Sequence, residues 1–145
     1  MRASAIRPKF VEFIPRELDE GVLYVSETHR VAVHLCASGC GEKVVTPLSP
    51  AEWQLYKDGD LVSLYPSIGN WNYACRSHYW IRDNRVLWAE SFSAQEIAHV
   101  QARDRLDKER YVAETNRRKL EAQDAQNRPT SLLSRMLMRL RALFR

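Results

Sequence analysis

Through the first 90 residues the apolar positions either alternate with polar ones or form short unbroken runs, and after Ser93 the spacing becomes helical. Pro8-Lys-Phe-Val-Glu-Phe-Ile-Pro15 reads as an extended segment bounded by prolines, which suits a sheet edge because proline donates no ladder hydrogen bond. Val22-Leu-Tyr-Val-Ser26 and Arg30-Val-Ala-Val-His-Leu-Cys36 are β-prone runs that predict a hairpin across Glu27-Thr-His29. Val44-Val-Thr-Pro-Leu48 resumes an extended chain, and Ser49 stands in cap position for a turn through Glu52. Trp53-Gln-Leu-Tyr56 and Leu61-Val-Ser-Leu-Tyr65 flank Lys57-Asp-Gly-Asp60, whose Asp-Gly pair favours a tight hairpin turn. Pro66-Ser-Ile-Gly-Asn-Trp71 reads as a loop. Tyr79-Trp-Ile-Arg82 and Arg85-Val-Leu-Trp-Ala-Glu90 make a third hairpin about Asp83-Asn84.

At Ser93 a capping box, Ser93-Ala-Gln-Glu96, starts a helix that can run from Ala94 to about Asn127 with no Gly or Pro inside it. Its apolar residues, among them Ile97, Val100, Leu106, Val112 and Leu120, form no dense stripe, which predicts a largely solvated helix. From Ser131 to Arg145 the pattern changes again. Leu132, Leu133, Met136, Leu137, Leu140, Leu143 and Phe144 fall on one side of a helix, with Arg135, Arg139, Arg141 and Arg145 flanking or opposite. The expected class is mainly β. A small antiparallel β-rich domain over 1–92 is followed by a charged helix over 93–128 and a basic amphipathic helix over 129–145.

Composition narrows the picture. With 145 residues and 45% hydrophobic content the chain can build one core plus an appendage. The net charge of +4 is concentrated at one end: residues 1–92 carry 10 Lys+Arg against 11 Asp+Glu, and residues 93–145 carry 12 against 7. Attraction to anionic lipid or nucleic acid would therefore belong to the tail. The β-rich part lacks aromatics interleaved with Lys or Arg, which argues against nucleic acid. Apolar residues at this spacing more often dock on the protein's own surface or on a protein or oligomer partner than on lipid, and the Arg-only polar side of 131–145 keeps a membrane surface open as a further reading. No apolar run reaches signal-peptide or membrane-spanning length, and three cysteines cannot complete disulfides within one chain. A soluble, cytoplasmic protein is expected, with its thiols reduced.

The chemistry-bearing residues gather between His34 and Tyr79. His34-Leu-Cys36-Ala-Ser-Gly-Cys40-Gly41 is a glycine-containing knuckle, and Cys75-Arg-Ser-His78 has a spacing common in zinc ligation. Cys36, Cys40, Cys75 and His78 together offer one tetrahedral zinc set, preferable to three unrelated buried thiols because they cluster beside glycines at ligand spacing. Four protein ligands would close the site and make it structural. A catalytic zinc would require a place in the shell to be open, for example with His34 exchanged in, and Glu42 is the nearest acid to serve as base. Ser67 is an alternative nucleophile, served by His78 or His34, although its loop is no GxSxG elbow and a hydroxyl there more often holds the turn.

The runs His-Leu-Cys-x-x-Gly-Cys-Gly-Glu-Lys-Val-Val-Thr-Pro-Leu, Val-Ser-Leu-Tyr-Pro-Ser-Ile-Gly-Asn-Trp and Cys-Arg-Ser-His-Tyr-Trp-Ile, over roughly residues 8 to 90, resemble a bacterial family of unknown function. Members often carry a further cysteine where this chain has Ser38, which leaves the ligand set open. Some are encoded beside ubiquitin-like proteins, ThiF-like activating enzymes and conjugating-enzyme-like proteins, in clusters associated with phage defence. The resemblance implies a component of a bacterial ubiquitin-like modification pathway, with the ubiquitin-like protein or its conjugation enzymes as partners. In such a pathway a deubiquitinase-like peptidase, with Glu42 or Ser67 in a catalytic role, stands against a non-catalytic adaptor whose zinc is structural and whose terminal helices bind a protein or membrane.

Overall fold

Eight strands and one long helix organise the computed structural model, which describes residues 1–90 and 92–127. In chain order they are β1 (Arg7–Phe10), β2 (Val22–Ser26), β3 (Val31–Leu35), β4 (Lys43–Pro47), β5 (Gln54–Asp58), β6 (Leu61–Gly69), β7 (His78–Arg82), β8 (Arg85–Trp88) and α1 (Ala94–Asn127). They make two four-stranded sheets, ordered β1-β2-β3-β4 and β5-β6-β7-β8, antiparallel except for the parallel edge pair β1-β2. Met1–Lys108 form one compact unit; the rest of α1 belongs to a second. The basic amphipathic segment expected over 131–145, and with it the membrane reading, lies outside the described residues. Among the described residues no helix is long and apolar enough to cross a membrane.

Both sheets contribute to one cluster of buried side chains. Leu23, Val25, Ala32 and Val44 come from the first, and Val62, Leu64, Ile68, Tyr79, Ile81 and Val86 from the second. The alternation in β6 and β7 follows directly: Val62, Leu64, Ile68, Tyr79 and Ile81 are buried, while Ser63, Tyr65, Ser67 and Trp80 are not. β2 is buried along its whole length. The 11–20 segment helps hold it there, for the Ser26 hydroxyl donates to the Glu12 carbonyl (2.6 Å) and the Tyr24 hydroxyl to the Asp19 carboxylate (2.7 Å).

The three expected hairpins form, as β2-β3, β5-β6 and β7-β8. Asp83 and Asn84 both take positive φ (48° and 62°), the geometry that a two-residue turn between twisted strands requires. One expectation fails: the stretch from Pro66 is no loop, because β6 continues to Gly69. Proline is tolerated there because the ladder with β7 is interrupted between Leu64 and Ile68, so Pro66 sits where no ladder donor is demanded. The capping box at α1 is formed, with Glu96 accepting from Ser93 N–H (2.8 Å) and Oγ (2.7 Å). The helix buries none of its residues.

Candidate functional site

Two constellations flank one connection, the loop from Gly69 to His78 that joins β6 to β7. On its far side lies the cysteine cluster. Cys36 leaves the end of β3, and the chain turns through Gly39 and Gly41, both at positive φ (76° and 81°), to bring Cys40 back beside it. The knuckle is closed by Cys36 N–H donating to the Glu42 carbonyl (2.8 Å) and Gly39 N–H to the Cys36 carbonyl (3.0 Å). Cys75 arrives from the other sheet on a loop tightened by Tyr73 N–H to Asn70 O (3.1 Å) and Arg76 N–H to Tyr73 O (3.0 Å).

The three sulfurs lie within 4.8 Å of one another, with Cys40 to Cys75 at 3.6 Å and Cys36 to Cys75 at 3.9 Å. A tetrahedral ion bonded to sulfur at about 2.3 Å would hold its ligands roughly 3.8 Å apart, so the spacing fits. Two hydroxyls touch the cluster. Ser38 Oγ is 3.2 Å from Cys36 Sγ, and Ser77 Oγ is 3.1 Å from Cys36 Sγ and 3.5 Å from Cys75 Sγ. Burial pushes the Cys75 thiol up, but hydrogen bonds from the Ser38 and Ser77 hydroxyls and the Ser77 backbone outweigh it and bring it down to about 6. Cys40 goes the other way: the Ser38 hydroxyl favours its thiolate, yet burial and the neighbouring thiols of Cys75 and Cys36 leave it above its ordinary value. Crowded thiols share protons in this manner, and a cation relieves the competition by replacing them.

The histidines expected near this cluster are placed otherwise. His34 is fully buried: its Nε2 meets the Tyr79 hydroxyl at 2.8 Å and its Nδ1 has no partner. Burial alone lowers it to about 4, so it is neutral. His78 is outside the group of mutually close ligand atoms, since its ring serves Ser67 instead. Glu42 is exposed and belongs to the knuckle, whereas Ser67 bonds to His78, whose other ring nitrogen meets the Glu90 carbonyl.

The second constellation is that serine and histidine. Gly69 pairs with His78, so Ser67, two residues back on β6, lies on the same face as His78 and diagonally across from it. Ser67 Oγ and His78 Nε2 are 2.9 Å apart. His78 Nδ1 is 3.2 Å from the Glu90 carbonyl oxygen. A carbonyl only accepts, so Nδ1–H donates to it, and Nε2 is left to accept the Ser67 O–H. Only 7% of His78 is exposed. Its ring is bracketed by Trp71 (centroids 5.0 Å) and Phe92 (4.6 Å), which also stack on each other at 5.3 Å and 17°. Trp71 reaches this position by lying against the bare Cα of Gly69, where a Cβ would fall 2.3 Å from its ring.

Ser67 with His78 was thus one of the pairings open in the sequence, whereas the Glu90 carbonyl and Phe92 were not found there. A main-chain acceptor leaves no trace in residue types. Phe92 sits in a polar context just before the helix cap, where nothing marks it as a neighbour of His78.

The model of a protein family described as bacterial ubiquitination-like system serine protease (BubE) matches residues 10–89, a span that contains every residue of both constellations except the Glu90 carbonyl and Phe92. No curated protein and no solved structure matches the chain.

Proposed function

The chain belongs to the family of bacterial ubiquitination-like system serine proteases, and from that premise we propose that it hydrolyses acyl bonds made by the ubiquitin-like protein of such a system, with Ser67 as nucleophile and His78 as general base. The hydrogen bond between Ser67 Oγ and His78 Nε2 at 2.9 Å, on a ring whose other nitrogen is held by a carbonyl, is the observation that carries this reading.

In the first step Ser67 Oγ attacks the carbonyl carbon while its proton passes to His78 Nε2. The Glu90 carbonyl, accepting from Nδ1–H, fixes the ring and stabilises the imidazolium that forms. His78 then gives the proton to the departing amine or alkoxide, leaving an ester on Ser67. Water, deprotonated by the same Nε2, hydrolyses that ester and restores the serine. General acid–base catalysis of this kind is worth roughly 10²- to 10⁴-fold. A backbone carbonyl replaces the carboxylate of a three-residue triad, which makes this a dyad.

The cysteines serve a different purpose. Cys36, Cys40 and Cys75 fit a zinc ion, with the Ser38 hydroxyl as the nearest side-chain oxygen that is not on the catalytic loop. When bound, the ion supplies a crosslink between the two sheets. Ser77 lies against the cluster immediately before His78, and Asn70 holds it twice, its side-chain amide donating to the Ser77 hydroxyl (2.8 Å) and its main-chain N–H to the Ser77 carbonyl (2.9 Å). The cluster thereby holds the loop between nucleophile and base from its far side, and Glu42 has no chemical part.

The test is cleavage of a linear fusion of the system's ubiquitin-like protein by the purified chain. Ser67→Ala abolishes turnover and Glu42→Gln leaves it unchanged. Retained cleavage in Ser67→Ala, or loss of cleavage in Glu42→Gln with the fold intact, would overturn the assignment.

A further inference from the structure

We propose that the outward face of the second sheet beside the dyad, built around Tyr65 and Trp80, is the surface that receives the substrate, and that it seats an apolar side chain two residues before the scissile carbonyl. This rests on Ser67 and His78 being the catalytic pair. The inner side chains of β6 and β7 are spent in the core, so Tyr65, Ser67 and Gly69 on β6 share the opposite face with His78 and Trp80 on β7. Along that face the order is fixed by β7, where Trp80 follows His78 by two residues of regular strand. Ser67 and His78 are at one end, and the Tyr65 and Trp80 rings, 6.1 Å apart, are the next pair along.

The two ends differ in how they are covered. Around His78 the rings of Trp71 and Phe92 close the face. One step further it is open: Tyr65 is 56% exposed and Tyr56 55%, and Leu87, which pairs with Trp80 across β7-β8, is 39% exposed. A cavity of about 290 Å³ lies here, lined by Tyr56, Ser63, Tyr65, Trp80 and Arg82 among others. Its volume suits one large apolar side chain of a polypeptide. Contiguous exposed aromatics next to a nucleophile are the usual form of a recognition surface.

The distance selects the position in the substrate. On β7, which stays regular here, the two residues from His78 to Trp80 advance the face by roughly 7 Å, and an extended substrate lying along it advances at the same pitch. A side chain in the Tyr65–Trp80 cleft therefore belongs to the residue two before the one whose carbonyl meets Ser67. The acyl side is chosen because the ubiquitin-like polypeptide is common to every conjugate, whereas the leaving group varies with the target.

Two measurements test this. In the first, the product-like peptides acetyl-Leu-Ala-Ala and acetyl-Ser-Ala-Ala are titrated to millimolar concentration into the Ser67→Ala protein, and the indole N–H resonances are followed by NMR. The leucine peptide moves the Trp80 resonance and the serine peptide does not; an unmoved Trp80 signal overturns the surface whatever the chemistry at Ser67. In the second, hydrolysis of the corresponding aminocoumarin amides or of full-length fusions bearing Leu or Ser at that position is compared. The wild-type chain prefers leucine by at least about tenfold in kcat/KM, and Trp80→Ala reduces the preference to less than about threefold. If Ser67→Ala is inactive and Trp80→Ala keeps the full preference, the surface is wrong and the dyad stands. If the leucine peptide moves Trp80 while Ser67→Ala still cleaves, the dyad is wrong and the surface stands.

Discussion

Gly69→Ala is the most informative single change near the dyad. Gly69 does not occupy positive φ, so alanine meets no backbone penalty, and the whole effect falls on what the new methyl touches. That Cβ would lie 2.3 Å from Cε2 and Cζ2 of Trp71 and 2.5 Å from its Nε1. Ordinary contact begins near 3.4 Å, so the indole must retreat by about 1 Å. A rigid bicyclic ring stacked on Phe92 at 5.3 Å and tilted against His78 at 5.0 Å cannot do so without loosening its packing on both. Overpacking of this kind costs roughly 1–3 kcal/mol, and each aromatic pair that separates adds about 0.5–1.5 kcal/mol. Alanine stiffens the unfolded chain by about 0.4–1 kcal/mol, which offsets part of that. The expected net loss is about 1–5 kcal/mol by urea unfolding. In cleavage assays kcat falls about 10- to 100-fold with KM little changed, because the ring that accepts the Ser67 proton is no longer held. Placing the same substitution in a Trp71→Ala background removes the clash, so there Gly69→Ala changes stability by less than about 0.5 kcal/mol. An equal effect of Gly69→Ala in the two backgrounds would refute the role given to Trp71.

Other outcomes follow from the same geometry. Metal analysis of the purified protein is expected to find about one zinc per chain, with Cys40→Ser or Cys75→Ser reducing it to a small fraction and lowering the unfolding midpoint and Ser67→Ala retaining it; metal in full amount after both cysteine changes would exclude the cluster. His34, buried and lowered from 6.5 to about 4, binds a proton more readily in the unfolded chain across that interval. Its share of stability is therefore complete above pH 6.5 and is lost on acidification to about pH 4, amounting to roughly 3 kcal/mol. His34→Gln flattens that part of the stability–pH curve measured by chemical denaturation, and an unaltered curve would contradict the burial assigned to it. Ser93→Ala removes the cap at α1 and costs about 1 kcal/mol of helix stability, seen as reduced helical circular dichroism.

The β-rich architecture was legible because the signals that set it are local. The Asp-Gly pair before Asp60, the Asp83-Asn84 turn and the Ser93–Glu96 box each act within a few residues. The parallel pairing of β1 with β2 and the division into two sheets depend on contacts distant in sequence, for which periodicity gives no register. The three thiols were legible as a cluster, since apolar packing does not demand cysteines beside paired glycines. His78 was harder. Its spacing from Cys75 matches a zinc ligand, but the chain enters β7 at that residue, and the register opposite Gly69 turns the ring toward Ser67. The interruption in the β6 ladder that keeps Ser67 within a strand is similarly a property of the pairing, and Pro66 taken by itself argued for a loop.

The central claim is that Ser67, activated by His78, is the nucleophile and that the cysteines are not. Intact mass and peptide mapping after exposure to a fluorophosphonate test it most directly, because the reagent bonds covalently to an activated serine oxygen. A single adduct on Ser67, absent in Ser67→Ala and formed far more slowly in His78→Ala, is the predicted result. An unmodified chain, or an adduct elsewhere that survives Ser67→Ala, would contradict the account.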